Sequence, residues 1–174
     1  RIFFGEKYEN KLEYEFNFSY PNRAPNTEIK IRTAVAARNH GGTTSSFTIT
    51  PSGGNPHTFS IGAVSGDYSF AKYKVDDFSY VPSSSVTALN VKVKYNQQSP
   101  VNLGWLDYLE TNVRSKLVYR SGQLLFRDRQ DIGDGIVSEY RIENAVNGIK
   151  IWEVSSYNNV LNIPQSIESG VLLF

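Results

Sequence analysis

The 174-residue chain contains no cysteine and no methionine. Without cysteine it has no disulfide framework, no thiolate metal site and no cysteine nucleophile. That absence leaves the compartment open, because a chain of this length can bury an adequate core without staples. A translation product begins with methionine, so the expectation is a chain processed or excised from something longer. Charge of one sign is also lacking. Lys plus Arg number 18 and Asp plus Glu 17, for a net charge of +1. Nucleic-acid binding needs clustered cations against phosphate, and no basic block is present. No apolar run approaches the ~18 residues of a membrane-crossing helix. Arg1-Ile2-Phe3-Phe4-Gly5 is too short to read as a signal peptide. No stretch carries the i, i+3, i+4, i+7 stripe of an amphipathic helix.

What the chain does have is β-branched and aromatic residues. Val and Ile far outnumber Ala, and there are 11 Tyr, 10 Phe and 2 Trp. That composition favours strands. Leu12, Tyr14, Phe16, Phe18 and Tyr20 share one parity, with polar residues between them, which predicts a strand with one buried face. Ile29, Ile31 and Val35 begin a second, whose tail Ala34 to Ala37 is small on both faces. Leu89, Val91, Val93 and Tyr95 alternate as cleanly. Shorter strands are expected at Phe47–Ile49, Thr58–Ile61, Tyr68–Val75, Lys116–Tyr119, Leu124–Arg127, Val137–Ile142 and Ile149–Val154. Trp105 to Val113 carries apolar residues of both parities, which suits a strand covered on both faces. Ser83-Ser84-Ser85 reads as a polar loop. Ser121-Gly122 and Asn147-Gly148 fall between pairs of strands, and Asn-Gly is a strong hairpin signal. About ten short strands with some long connections indicate one all-β domain over residues 1–174, an antiparallel two-sheet sandwich of jelly-roll type. The apolar finish Val171-Leu172-Leu173-Phe174 suits a chain that runs on into another packed element.

Candidate chemistry is sparse. His40 and His57 lie in Gly/Pro-rich turns and are expected to face water. Asp76-Asp77 and the run Asp128 to Gly135 lack the ordered spacing of a calcium loop and read as solvated acidic turns. Glu13 and Glu15 lie two strand rises apart, about the separation of a glycosidase pair, but on a face expected to be a solubilising edge. A hydrolase would need a cleft uniting a histidine with carboxylates. Trp105, Trp152 and the many tyrosines offer a second reading, a carbohydrate-stacking platform on a surface protein.

Four stretches in order carry a resemblance: Arg1–Tyr8, Gly104-Trp105-Leu106-Asp107-Tyr108-Leu109-Glu110, Gln123–Asp128 and Ile151-Trp152-Glu153-Val154. With Tyr14 to Ala37 between the first two, the chain resembles the segment preceding the peptidase domain in the type IX secretion sortases of Bacteroidota, which are gingipain-type cysteine peptidases. Glu153 stands where that family usually has Asp, and Leu109 where Ile is common. The resemblance implies a cell-surface location on the outer membrane of a Gram-negative bacterium. It implies a parent enzyme that removes C-terminal sorting domains from cargo and joins the cargo to a lipopolysaccharide anchor. The family's catalytic Cys and His lie downstream, so no catalytic residue carries over and this chain is expected to be a non-catalytic module. No cofactor and no metal are implied. The expected partners are the downstream peptidase domain of the same chain or an outer-membrane barrel protein of the secretion system. On the residues alone, Gly104 permits a close approach before a strand. Trp105 and Tyr108 are expected on opposite faces, Asp107 to accept a hydrogen bond from a loop N–H, and Trp152 to bury its ring. These five residues are the expected structural or interdomain motif.

Overall fold

The computed structural model describes residues 4–64, 69–82, 86–128, 133–156 and 158–174. The polar loop expected at Ser83–Ser85 lies outside the described residues, as do residues 129–132 of the acidic run and Arg1–Phe3 of the first motif. The fold is all-β, with fourteen strands and no helix among the described residues. The chain divides into two compact units, Arg1–Arg114 and Ser115–Phe174, where the sequence reading expected one sandwich over 1–174.

The first unit has eight strands: β1 (Lys7–Tyr8), β2 (Glu13–Ser19), β3 (Ile29–Arg38), β4 (Ser45–Pro51), β5 (His57–Ile61), β6 (Lys72–Tyr80), β7 (Ala88–Asn96) and β8 (Leu103–Val113). They form two four-stranded antiparallel sheets, ordered β1-β8-β3-β6 and β2-β7-β4-β5. Pairing is nested: β1 with β8, β2 with β7, β3 with β6 and β4 with β5. A long hairpin whose successive pairs fall alternately in two sheets is a jelly roll, as the sequence indicated.

Alternation sets the register. In β2 and β7, Tyr14 faces Val93, Phe16 faces Val91 and Phe18 faces Leu89. These aromatic and branched pairs point inward, while Glu15 and Lys92 form an ion pair at 2.9 Å on the opposite face. A one-residue slip would turn every ring to water. The core joins Ile29, Ile31 and Val35 of one sheet to Phe47, Ile49, Val91, Val93 and Tyr95 of the other. Tyr8 is fully buried among Tyr14, Phe47 and Tyr95, and burial pushes its phenol far above the ordinary tyrosine range. Asn39 ties the sheets together. It donates to the Ile61 carbonyl at 2.8 Å and accepts from the Tyr95 hydroxyl at 3.0 Å.

The mixed parity of β8 has a different cause from the expected coverage on both faces. Ala34 pairs with Tyr108 but Val35 pairs with Leu106, so Asp107 is the extra residue of a β-bulge. Leu106 is inward before the bulge, and Leu109 and Val113 are inward after it. The bulge therefore switches the inward parity, and both Trp105 and Tyr108 fall on the outer face rather than on opposite faces. β6 also differs from expectation. It begins at Lys72 and continues through Asp76 and Asp77, which form no turn: Asp76 meets a partner in the other sheet, His57, and Asp77 one on the neighbouring strand, Lys30.

The second unit has β9 (Leu117–Val118), β10 (Arg141–Glu143), β11 (Ile151–Glu153), β12 (Leu161–Ile163), β13 (Ser166–Glu168) and β14 (Val171–Leu173). One sheet runs β13-β14-β10-β9 with β9 and β10 parallel, and β11 pairs with β12 alone. The strands expected at Val137–Ile142 and Ile149–Val154 shorten to three residues, and Leu124–Arg127 forms none. Neither glycine turn makes a hairpin: β9 joins β10 in parallel, and β10 and β11 lie in different sheets. The unit's tight two-residue hairpin is β13–β14. Ser169 and Gly170 take φ of 50° and 79°, the two positive angles of a type I′ turn. At Pro164 the ladder loses a donor. The Gln165 side chain substitutes, accepting from the Ile151 N–H at 2.9 Å and donating to the Ile149 carbonyl. A small core gathers on Ile142, Ala145, Ile151 and Leu172.

Candidate functional site

Four of the five motif residues lie on β8 and serve two faces. Gly104 points into the core of the first unit. A Cβ there would stand 3.0 Å from both the Phe47 and Tyr95 rings, so the close approach expected of this glycine is present. Trp105 turns outward and is covered by Phe4 and Phe70, with ring centroids at 6.1 and 5.7 Å. The Arg38 guanidinium lies 4.9 Å from the Phe70 ring centre. Asp107 accepts a hydrogen bond from the Tyr73 hydroxyl at 2.8 Å, not from a loop N–H.

That hydrogen bond shapes the outer face. Tyr73 is on β6 and Asp107 on β8, with β3 between them. Two strand spacings are about 9.6 Å, so the tyrosine reaches the carboxylate only by lying across β3. The residues beneath are Ala34 and Ala36. They share the outward parity of exposed Lys30 and Arg32, yet both are fully buried. Small residues in β3 thus leave room for the tyrosine to cross the strand. The bond to Asp107 is the main reason the Tyr73 phenol is pushed up to about 12. Phe70, Tyr73 and Tyr108 are 62%, 46% and 38% exposed.

His57 does not face water as its turn context suggested. It is the first residue of β5, its ring stacks on Phe78 at 4.3 Å, and its Nε2 lies 2.6 Å from Asp76 Oδ2. Asp77 pairs with Lys30 at 3.1 Å. Since β5 and β6 are edge strands of different sheets, the His57–Asp76 contact bridges the sandwich. Sequence missed this because the partners are brought together only by the topology. His40 is exposed, and its backbone N–H donates to Asn102 Oδ1. Glu15 sits on edge strand β2, and its hydrogen bond to Lys92 holds its carboxyl below the usual range. A glycosidic general acid needs the opposite shift.

Trp152 belongs to the second unit. It is 53% exposed rather than buried, on a strand, β11, that pairs with β12 alone. It lines a cleft of about 670 Å³ together with Leu124, Leu125, Phe126, Val146 and Val154. Leu125 is 81% exposed. The Leu124–Phe126 segment, expected as a strand, is a wall of this cleft. Among the described residues no group of three or more metal-ligating side chains occurs, and no helix is long and apolar enough to cross a membrane.

Fold and surfaces together define a jelly roll followed by a small β unit, a class of module defined by architecture and not by chemistry. No family model and no curated protein matches the chain. Among solved structures, it is similar to the crystal structure of dimeric latent PorU from Porphyromonas gingivalis. The TM-score is 0.77 at 15% identity, over 99% of this chain and 17% of that one. That likeness is one of fold, and it extends across both units. The chain is also aligned to TmCBM61 in complex with β-1,4-galactotriose, at a TM-score of 0.37 and 11% identity, over 59% of this chain and 62% of that one. A correspondence that low bears on neither fold nor ligand.

Proposed function

We propose that this chain is a non-catalytic accessory module of a type IX secretion sortase, a cysteine peptidase that removes C-terminal sorting domains from cargo. It acts on the surface of a Gram-negative outer membrane. Its second unit docks through the cleft at Leu124–Phe126 and Trp152 onto the downstream peptidase domain. The observation that carries this reading is the fold correspondence with PorU over 99% of the chain. The ordered motifs on β8 and β11 and the exposed apolar side chains of the cleft point the same way. An outer-membrane barrel protein is the other occupant that the cleft would suit.

Two preparations test it against a cargo bearing a C-terminal sorting domain. The isolated chain is expected to leave the cargo uncut. The parent protein carrying Leu125→Asp is expected to process it several-fold more slowly than wild type. Leu125 is so exposed that the substitution changes the stability of the chain itself by less than about 0.5 kcal/mol. Cleavage by the isolated chain, or unchanged processing by the variant, contradicts the reading.

A further inference from the structure

The outer face of the β1-β8-β3-β6 sheet is built differently from the cleft. Its exposed apolar residues include the rings Phe70, Tyr73 and Tyr108, whereas leucines and valines line the cleft beside Phe126 and Trp152. The Tyr73 side chain crosses β3, whose outward alanines Ala34 and Ala36 are buried, and is pinned at its hydroxyl by Asp107. A ring held at both ends loses little freedom on binding, so the cost of ordering it is met during folding. Two planar hydrogen-bonding groups belong to the same sheet: the Asp107 carboxylate, which takes the Tyr73 hydroxyl, and the Arg38 guanidinium, 4.9 Å over the Phe70 ring. Flat rings suit the C–H faces of a pyranose, and carboxylate and guanidinium pairs suit its vicinal hydroxyls. Acids and bases alternate along the face, with Arg32 opposite both Asp77 and Glu110, so no net charge selects an ionic ligand.

We propose that this face binds a neutral oligosaccharide, with Tyr73 as the stacking platform and Asp107 and Arg38 as the groups that take its hydroxyls. The site belongs to the first unit and the cleft to the second, and the proposal stands whether or not the cleft docks a peptidase domain.

The test is an NMR titration of the complete 174-residue chain with three probes, the linear hexasaccharides of glucose, galactose and mannose. At least one probe is expected to shift the Tyr73 ring and Trp105 indole resonances saturably. Tyr73→Ala weakens that binding about tenfold. Asp107→Asn and Tyr73→Phe, which keep the ring but loosen its pin, weaken it about threefold. Trp152→Ala leaves it unchanged. If Tyr73→Ala fails to fold, the two conservative variants decide. No saturable shift with any probe at millimolar concentration overturns the proposal, as does binding that all three variants at Tyr73 and Asp107 leave intact.

Discussion

The two units solve the problem of burying a β-sheet at different scales. The first has strands of up to 11 residues, two sheets face to face and a core of large, fully buried side chains. The second has strands of two or three residues and a core of four buried residues. Short strands cannot cover their own apolar side chains, and Trp152, Val154 and Leu125 stay in water. The contrast teaches where each unit can afford a partner. The first buries its large side chains between two four-stranded sheets and presents a ring-bearing outer face. The second leaves apolar surface unpartnered, as an element does when it packs against something else.

Core truncations should expose this difference most strongly. Phe47→Ala empties the centre of the sandwich and is expected to cost about 3–5 kcal/mol in urea unfolding. Leu172→Ala removes the most buried side chain of the smaller core. Its surroundings collapse more readily, so about 2 kcal/mol is expected. Equal losses would mean that the second core is packed as tightly as the first. Gly104→Ala forces a Cβ between two buried rings and should cost about 1–3 kcal/mol by overpacking. At Gly170 there is nothing within 4 Å of an added Cβ, so Gly170→Ala should cost only the backbone term, about 1 kcal/mol.

Smaller still is a pH effect confined to the outer face. The Tyr73 phenol is raised to about 12 when folded, against an ordinary value near 10. The folded state therefore holds a proton that the unfolded state releases. Its contribution is complete below pH ~10 and is lost as pH rises toward about 12. Ultraviolet titration of the phenolate should show this late-ionising tyrosine. In Asp107→Asn it should titrate earlier, because the hydrogen bond to the carboxylate is the main cause of the shift.

The sequence was legible where one face is buried and the other wet. β2 and β7 alternate without a break, and their bounds were read to within a residue. The jelly-roll class followed from strand number and spacing. The bulge at Asp107 was hidden, because inserting one residue changes no residue type. It showed only as mixed parity, and coverage on both faces produces the same signal. The second unit misled for another reason. Strands of three residues are too short for a period to show, and Asn147-Gly148 made a turn that joins strands of different sheets. Of the outer face, Trp105, Asp107 and Tyr108 were singled out by motif, as structural or interdomain residues. Tyr73 and Arg38 were not, since only the strand order brings β6, β3 and β8 side by side.

Amide hydrogen exchange tests the central claim most directly, by comparing the chain alone with the same residues in the proposed longer protein that carries a peptidase domain. Amides of Leu124–Phe126 and Lys150–Val154 are expected to slow at least about tenfold in the parent, while those of β2 and β7 keep their rates. Unchanged rates around the cleft, or protection appearing only on the first unit, would contradict docking through the second.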